Sequence, residues 1–302
     1  MDTAIREFLK GLGTGADTGF SVEKLRGDAS SRIYWRLRPR TGPLSSIIVM
    51  QLPPNAAASD EATSGAPAPT ELPFLNVARY LKVAGVAVPN VYAANEGAGL
   101  VFLEDLGDDL LETLVKTADD DARRTLYEMA IDVCVKLQRH AEANHNAECI
   151  AFSRRFDPAL LRWELDHFIE WGVTGRTGKT PSVAAQGAID RGFDRVVDLL
   201  AAAPVAFVHR DFQSRNLILT QGQLRVIDFQ DALMGPYVYD LVALLRDSYV
   251  MLADDFVNEM LAYYVKRRNH FSIEETTRLF HVQTVQRKLK DAGRFIYIDR
   301  IK

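Results

Sequence analysis

The feature that most narrows what this chain can fold into is an island, Val205 to Asp231, set in a region otherwise patterned as helix. From Leu110 onward apolar residues recur with a period near 3.6, and Leu126, Ala130, Val133, Cys134 and Leu137 form one such stripe. Within FVHRDFQSRNLILTQGQLRVIDFQDA that period is lost. Two short apolar runs, Leu217 to Leu219 and Val226 to Ile227, flank polar positions instead. The stretch reads as a loop, a β-hairpin and an acid at the hairpin's end. Helical patterning resumes at Tyr239, Leu241, Leu244 and Leu245 and continues to the end of the chain.

The first third has the other periodicity. SVEKLRG, RIYWRLR and SSIIVMQL are rich in β-branched and aromatic residues and are separated by turn-forming stretches. In the second of these Ile33, Trp35 and Leu37 face one way, while Arg32, Tyr34, Arg36 and Arg38 face the other. Strands centred on Val91-Tyr92 and Leu100 to Leu103, with a helix from Phe74 to Leu81 between, complete a five-stranded set. Residues 53–73 are polar and aperiodic and read as a mobile loop. The expectation is therefore an α+β chain of two lobes: a five-stranded antiparallel N-lobe with one main helix over residues 1–105, and a mostly helical C-lobe over 106–302.

Charge removes several partners. The net charge of −4 argues against nucleic acid and against a polybasic membrane contact, both of which need surplus Lys and Arg. No apolar run approaches the ~20 residues that span a bilayer, and MDTAIREFLKGLG lacks the apolar core of a signal peptide. Ile5, Phe8 and Leu9 fit one face of a short helix. Two cysteines, Cys134 and Cys149, are too few for a disulfide framework, which implies a reducing compartment, the cytoplasm. A monomer is expected. The chain ends at Lys302 without a Gly or Pro stop, as a longer chain cut short would.

The island carries the chemistry. His209-Arg210-Asp211 is followed by Asn216 five residues after the Asp, and by Asp228 seventeen residues after it. Phosphoryl transfer needs a carboxylate that orients the acceptor hydroxyl and takes its proton, plus oxygen ligands for the Mg²⁺ that neutralises ATP. Asp211 suits the first role; Asn216 and Asp228 suit the second. Asn at 216 supplies an oxygen without another negative charge beside the triphosphate.

HRDFQSRNLIL and VIDFQDALMGPYVYDLVALLRD resemble the aminoglycoside-phosphotransferase and choline-kinase superfamily, relatives of the protein kinases. GDASSRIYWR, IIVMQLPP, FLEDLG and the late QRKLK extend the resemblance over nearly the whole chain. Within the superfamily the likeness is to kinases that act on the anomeric hydroxyl of N-acetylmuramate and N-acetylglucosamine in cell-wall recycling. The resemblance implies a protein-kinase-like fold, ATP and Mg²⁺ as cofactors, and a small-molecule sugar as partner. It implies Asp211 as catalytic base and Asn216 and Asp228 as metal ligands. Backbone groups of Glu104 and Leu106 would meet adenine, and Asp240 would be a buried acid bracing the catalytic loop. An acid favoured by a helix dipole would occupy the same place as Asp240.

Two departures stand out. Protein kinases carry a Lys at the end of the third strand; here that strand ends Val49-Met50-Gln51, and no Lys or Arg lies between Arg40 and Arg79. The Gly-rich phosphate loop is replaced by Gly27 to Arg32, where Ser30, Ser31 and backbone amides can still cradle phosphate. Arg32 is the expected substitute cation, while Arg36 reads as a solvated sheet-face residue. This gap leaves open a nucleotide-binding pseudokinase scaffold.

For the acceptor, Arg215 lies between Asp211 and Asn216 and would pair the lactyl carboxylate of N-acetylmuramate. A structural pair with an acid such as Asp231 is its equal alternative. Arg287, Lys288 and Lys290 add positive charge on what reads as a solvated helix face. Other hydroxyl metabolites (an aminoglycoside, choline, another sugar) remain alternative acceptors.

Overall fold

The computed structural model describes residues 1–13, 19–25, 32–53 and 71–301. Ser30 and Ser31, with most of the polar stretch 53–73, lie outside the described residues. The chain gathers into two compact units, one formed by Met1–Asp60 with Val88–Asp108 and the other by Glu61–Ala87 with Asp109–Lys302.

The first unit is a five-stranded antiparallel sheet in the order β1-β2-β3-β5-β4, with β1 Phe20–Lys24, β2 Ile33–Pro39, β3 Ile47–Gln51, β4 Val91–Asn95 and β5 Leu100–Glu104. Helix α1, Asp2–Gly11, covers one face. Its Ile5 and Leu9 are buried with Leu37, Ile47, Val49, Leu100 and Phe102, and Phe8 stacks on Phe102 with ring centroids 4.0 Å apart. These apolar residues hold the sheet because alternate strand positions share a face and can meet one amphipathic helix.

The second unit begins with α2, Pro73–Val83, which starts on a proline and ends before Gly85 at φ +69°. Then follow α3 Leu111–Thr117, α4 Asp120–Ala143, α5 Pro158–His167 and α6 Val183–Ala201. Side chains of Asp119, Asp157 and Ser182 cap α4, α5 and α6 by accepting an amide two or three places in. The island forms β6 Val205–Val208, a hairpin of β7 Leu217–Thr220 and β8 Gln223–Val226, and β9 Leu233–Pro236, which pairs with β6. Helices α7 Tyr239–Leu245, α8 Asp254–Arg268 and α9 Ile273–Ile301 complete it.

Leu160, Leu161 and Leu165 of α5, Phe193 and Val197 of α6, Val208 of β6 and Tyr239 of α7 form one buried core beneath the island. Helix α9 lies close against the Phe168–Gly175 turn that continues α5. At Gly293 a Cβ atom would come 2.9 Å from the Phe168 Cα, so glycine is what lets the two backbones approach. That approach brings the polar face of α9 onto the island.

Candidate active site

Asp211 stands on the loop after β6, Asn216 at the start of the hairpin and Asp228 two residues beyond β8. Backbone bonds stitch these three positions together. The Asn216 side-chain amide donates to the Asp211 carbonyl at 2.8 Å, and the Asn216 carbonyl accepts the Ile227 amide at 3.0 Å. The Ile227 carbonyl in turn lies 2.9 Å from His209 Nε2. His209 Nδ1 accepts the Asp211 amide at 3.2 Å, so Nε2 carries the proton and donates to Ile227. Burial pushes the pKa of His209 down, which keeps this neutral tautomer. One histidine thus ties the loop bearing Asp211 to the strand end bearing Asp228.

Both ends of this arrangement carry backbone that side chains resist. Arg210 has φ +80° and Asp228 φ +62°, in the left-handed region. Such conformations persist where surroundings over-determine them, and the partners are visible here. Asp240, in the first turn of α7, accepts the amides of His209 at 2.7 Å and Arg210 at 3.1 Å. Burial raises its carboxyl to about 6 against the opposing pull of His209 and the two amides. The Arg210 guanidinium lies 3.0 Å from Glu164 of α5, both side chains closed to solvent. Gln230 donates to Asp228 Oδ1 at 2.9 Å and to Asp231 Oδ2 at 3.0 Å, and its carbonyl accepts Arg154 at 2.9 Å.

Of the late basic residues, Arg287 and Lys290 do not lie on a solvated face, whereas Lys288 stays partly exposed beside Ser248 and Asp291. Arg287 is 1 % exposed and Lys290 7 %, because α9 turns them inward over Arg210 and Asp211. Burial alone would raise the Asp211 carboxyl. The charges of Lys290, Arg287 and Arg210 outweigh it and hold the group well below the usual carboxylate range. Asp211 keeps 30 % of its side chain open to solvent. It is an ionised group with an accessible oxygen, which is what a proton acceptor needs.

Arg215 stacks on Tyr249, its guanidinium carbon 3.7 Å from the ring centroid, and lies 3.8 Å from Glu112 of α3. Tyr249 also borders a cavity of about 600 Å³ lined by Lys116, Arg123, Met251 and Phe256 among others. Arg36 reverses its expectation as well. It is 7 % exposed and clamps the last residues of the first unit, pairing Asp105 at 2.7 Å and Asp108 at 2.8 Å. Those carboxylates raise its pKa. Arg32 is half-buried just before β2. At the third strand's end, Gln51 accepts the Trp35 indole N–H at 3.1 Å. The Glu104 amide is donated to the Asn90 carbonyl at 2.8 Å, and Leu106 is buried.

Sequence reasoning overlooked Asp247, Glu164 and Gln230. Glu164 had a signal: an acid among Leu160, Leu161 and Leu165, where an apolar stripe does not tolerate a charge without a partner. Asp247 had a weaker one, an acid seven residues after Asp240, although α7 ends at Leu245 before reaching it.

Comparison with known proteins identifies the family. Residues 21–275 match the phosphotransferase enzyme family. An N-acetylmuramate/N-acetylglucosamine kinase of Neisseria meningitidis is 32% identical over 287 residues, covering 91% of this chain and 78% of its own. The kinase of the same name in Pseudomonas aeruginosa is 30% identical over 308 residues, covering 99% and 82%. Among solved structures, a choline kinase of Streptococcus pneumoniae superposes with TM-score 0.61 at 16% identity over 98% of this chain and 90% of its own. The ADP-bound aminoglycoside phosphotransferase APH(2'')-Ib gives 0.61 at 14% identity over 98% and 92%. This chain therefore belongs to the phosphotransferase enzyme family.

Proposed function

We propose that the chain is an ATP-dependent kinase that phosphorylates the anomeric hydroxyl of N-acetylmuramate and N-acetylglucosamine. The observation that carries this is similarity at 30–32% identity, over nine-tenths of the chain or more, to two kinases named for those sugars. It is joined to a loop whose ionised Asp211 is held beside Asn216 and Asp228.

In this reading residues 1–105 serve the nucleotide and 106–302 carry the catalytic loop and acceptor site. Asp211 accepts the hydroxyl proton as the sugar oxygen bonds to the γ-phosphorus, and the bond from that phosphorus to the bridging oxygen breaks to release ADP. A hemiacetal hydroxyl is more acidic than an ordinary alcohol, so a carboxylate held at low basicity suffices. Asn216 and Asp228 suit Mg²⁺: both are hard oxygen donors, and the Asn216 NH₂ is spent on the Asp211 carbonyl, which turns its oxygen elsewhere. Bound there, the ion would neutralise the phosphate charge. Ser30, Ser31 and Arg32 would serve the phosphates, and backbone groups of Glu104 and Leu106 the adenine. Asp240 supports the loop through two amides. Arg215 would face the lactyl carboxylate. The setting is the cytoplasm and the working form a monomer.

The glutamine at the third strand's end favours a second reading, a nucleotide-binding scaffold without turnover. One experiment separates them. Free N-acetylglucosamine and its 1-O-methyl glycoside are each offered with ATP and Mg²⁺. Turnover of the free sugar alone is expected. Equal phosphorylation of the blocked sugar refutes the anomeric position, and no turnover of any acceptor in a panel of amino sugars, aminoglycosides and choline favours the scaffold.

A further inference from the structure

A buried cation paired with the Asp211 carboxylate comes from α9, far away in sequence. Arg287 of α9 donates through Nη1 to the Arg210 carbonyl at 2.8 Å and through Nη2 to Asp211 Oδ1 at 3.2 Å. A planar guanidinium can bridge two acceptors in one rigid fork, which an ammonium cannot. The two acceptors are unusual in kind: a backbone carbonyl and the neighbouring residue's side chain. The fork therefore fixes the torsion between the loop and its carboxylate, at the very peptide where the chain holds φ +80°. The face of Tyr239 lies 5.2 Å from the same guanidinium and closes it from behind. Glu164, which neutralises Arg210, also accepts Gln286 at 2.7 Å, so α9 is anchored to this place by a second bond one residue away.

We propose that Arg287 is a positioning residue for phosphoryl transfer: it orients the Asp211 carboxylate toward the acceptor hydroxyl by holding that carboxylate and the Arg210 carbonyl together. The inference rests on the reading of Asp211 as the base. Its energetic content is orientation, since a displaced catalytic group costs rate and leaves substrate binding alone. A purely structural arginine would lower stability and leave the bound geometry of Asp211 intact.

The test is a kinetic cycle with N-acetylglucosamine and Mg·ATP. Arg287→Met is expected to lower kcat by about 10- to 100-fold, with KM for ATP and for sugar within about threefold. Arg287→Lys keeps a charge without the fork and is expected to fall between. In an Asp211→Asn background Arg287→Met should change kcat by less than about threefold, because no carboxylate is left to orient. Loss of the same size in both backgrounds, loss expressed in KM, or unchanged kcat in the single variant overturns the proposal. Thermal melting identifies a variant that does not fold. Should Arg287→Met fail there, Arg287→Lys runs through the same cycle, and a kcat loss that persists undiminished in Asp211→Asn overturns the proposal equally. The two readings fail separately: if Asp211→Asn alone turns over at the parent rate, the base is misassigned whatever Arg287 does.

Discussion

Ser214 gives both its backbone N–H and its hydroxyl to one oxygen of Asp247, at 2.9 and 2.5 Å. Ser214 lies midway between Asp211 and Asn216, and it is fully buried. The other Asp247 oxygen accepts the Tyr249 amide at 3.0 Å, so one carboxylate joins the HRD loop to the residue on which Arg215 stacks. Removing the two partners should not cost the same. Ser214→Ala loses one bond and leaves Asp247 with its two amides, a loss of about 1–2 kcal/mol. Asp247→Ala strands a buried amide and a buried hydroxyl and should cost about 2–4 kcal/mol. Urea denaturation measures both. Equal losses would mean the hydroxyl bond alone carries the contact.

Glu164 and Arg210 make the corresponding test for buried charge. Glu164→Ala leaves Arg210 inside the core with Lys290 3.9 Å from the vacated carboxylate position. Breaking such a pair from one side costs about 3–5 kcal/mol, whereas replacing both members by apolar residues is far cheaper. Glu164→Leu with Arg210→Met should therefore be more stable than Glu164→Ala by calorimetry. It should nonetheless be slow, because Glu164→Leu removes the acceptor of Gln286, the bond that anchors α9 beside Arg287. A double variant no more stable than the single would show that the pair contributes through packing.

Asp240 gives a pH prediction with a definite sign. Its folded pKa of about 6 lies above the ordinary 3.8, so the folded state binds the proton more tightly. The Asp240 contribution is then most favourable below pH 4, declines as pH rises from 4 to 6, and is constant above. A shift of this size corresponds to about 3 kcal/mol at most. His209 works in the opposite sense: burial lowers its pKa, so its contribution falls as pH drops through 6.5. Unfolding free energies of the parent chain and Asp240→Asn, measured from pH 4 to 7, should diverge with pH, the parent losing relative ground up to pH 6. Parallel curves would place the Asp240 pKa at its ordinary value.

Asp211 and Asp228 should separate chemistry from nucleotide binding. Asp211→Asn is expected to keep ATP affinity and lower kcat by about 10²-fold or more. Asp228→Ala should abolish Mg²⁺-dependent ATP binding in a calorimetric titration, at some cost in stability because alanine tolerates φ +62° less well than aspartate. Unchanged Mg·ATP binding in that variant would remove the metal role.

These residues also show where the sequence was readable. The HRD loop, hairpin and terminal acid are local in sequence, and their spacing alone places Asp211, Asn216 and Asp228 on adjoining loops. The five strands are legible for the same reason, as short alternating runs. In sequence, Arg36, Arg287 and Lys290 read as solvated, because a charged residue on a strand or helix usually is. What buries Arg36 is Asp105 and Asp108, some seventy residues on; what buries Arg287 is a loop seventy-six residues back. Partner distance of that order leaves no periodic trace. Gln283, Gln286, Arg287 and Lys290 did share one helix face, and their burial shows that face to be a polar interior rather than a surface.

Arg215 sets the last prediction. Its guanidinium is one-quarter exposed, stacked on Tyr249 and 3.8 Å from Glu112, so it is already half-committed to a carboxylate. A guanidinium carries five N–H donors and can serve more than one carboxylate. A partly exposed pair contributes only about 1 kcal/mol, because water screens it. Arg215→Ala should thus raise KM for N-acetylmuramate by about fivefold relative to N-acetylglucosamine, which lacks the lactyl acid, with kcat on N-acetylglucosamine little changed. Glu112→Gln should move the ratio the other way, since it frees Arg215 from a competing acid. If Arg215→Ala instead lowers kcat on both sugars alike, the stack on Tyr249 serves the loop that carries Asp211, and the carboxylate is recognised by another group.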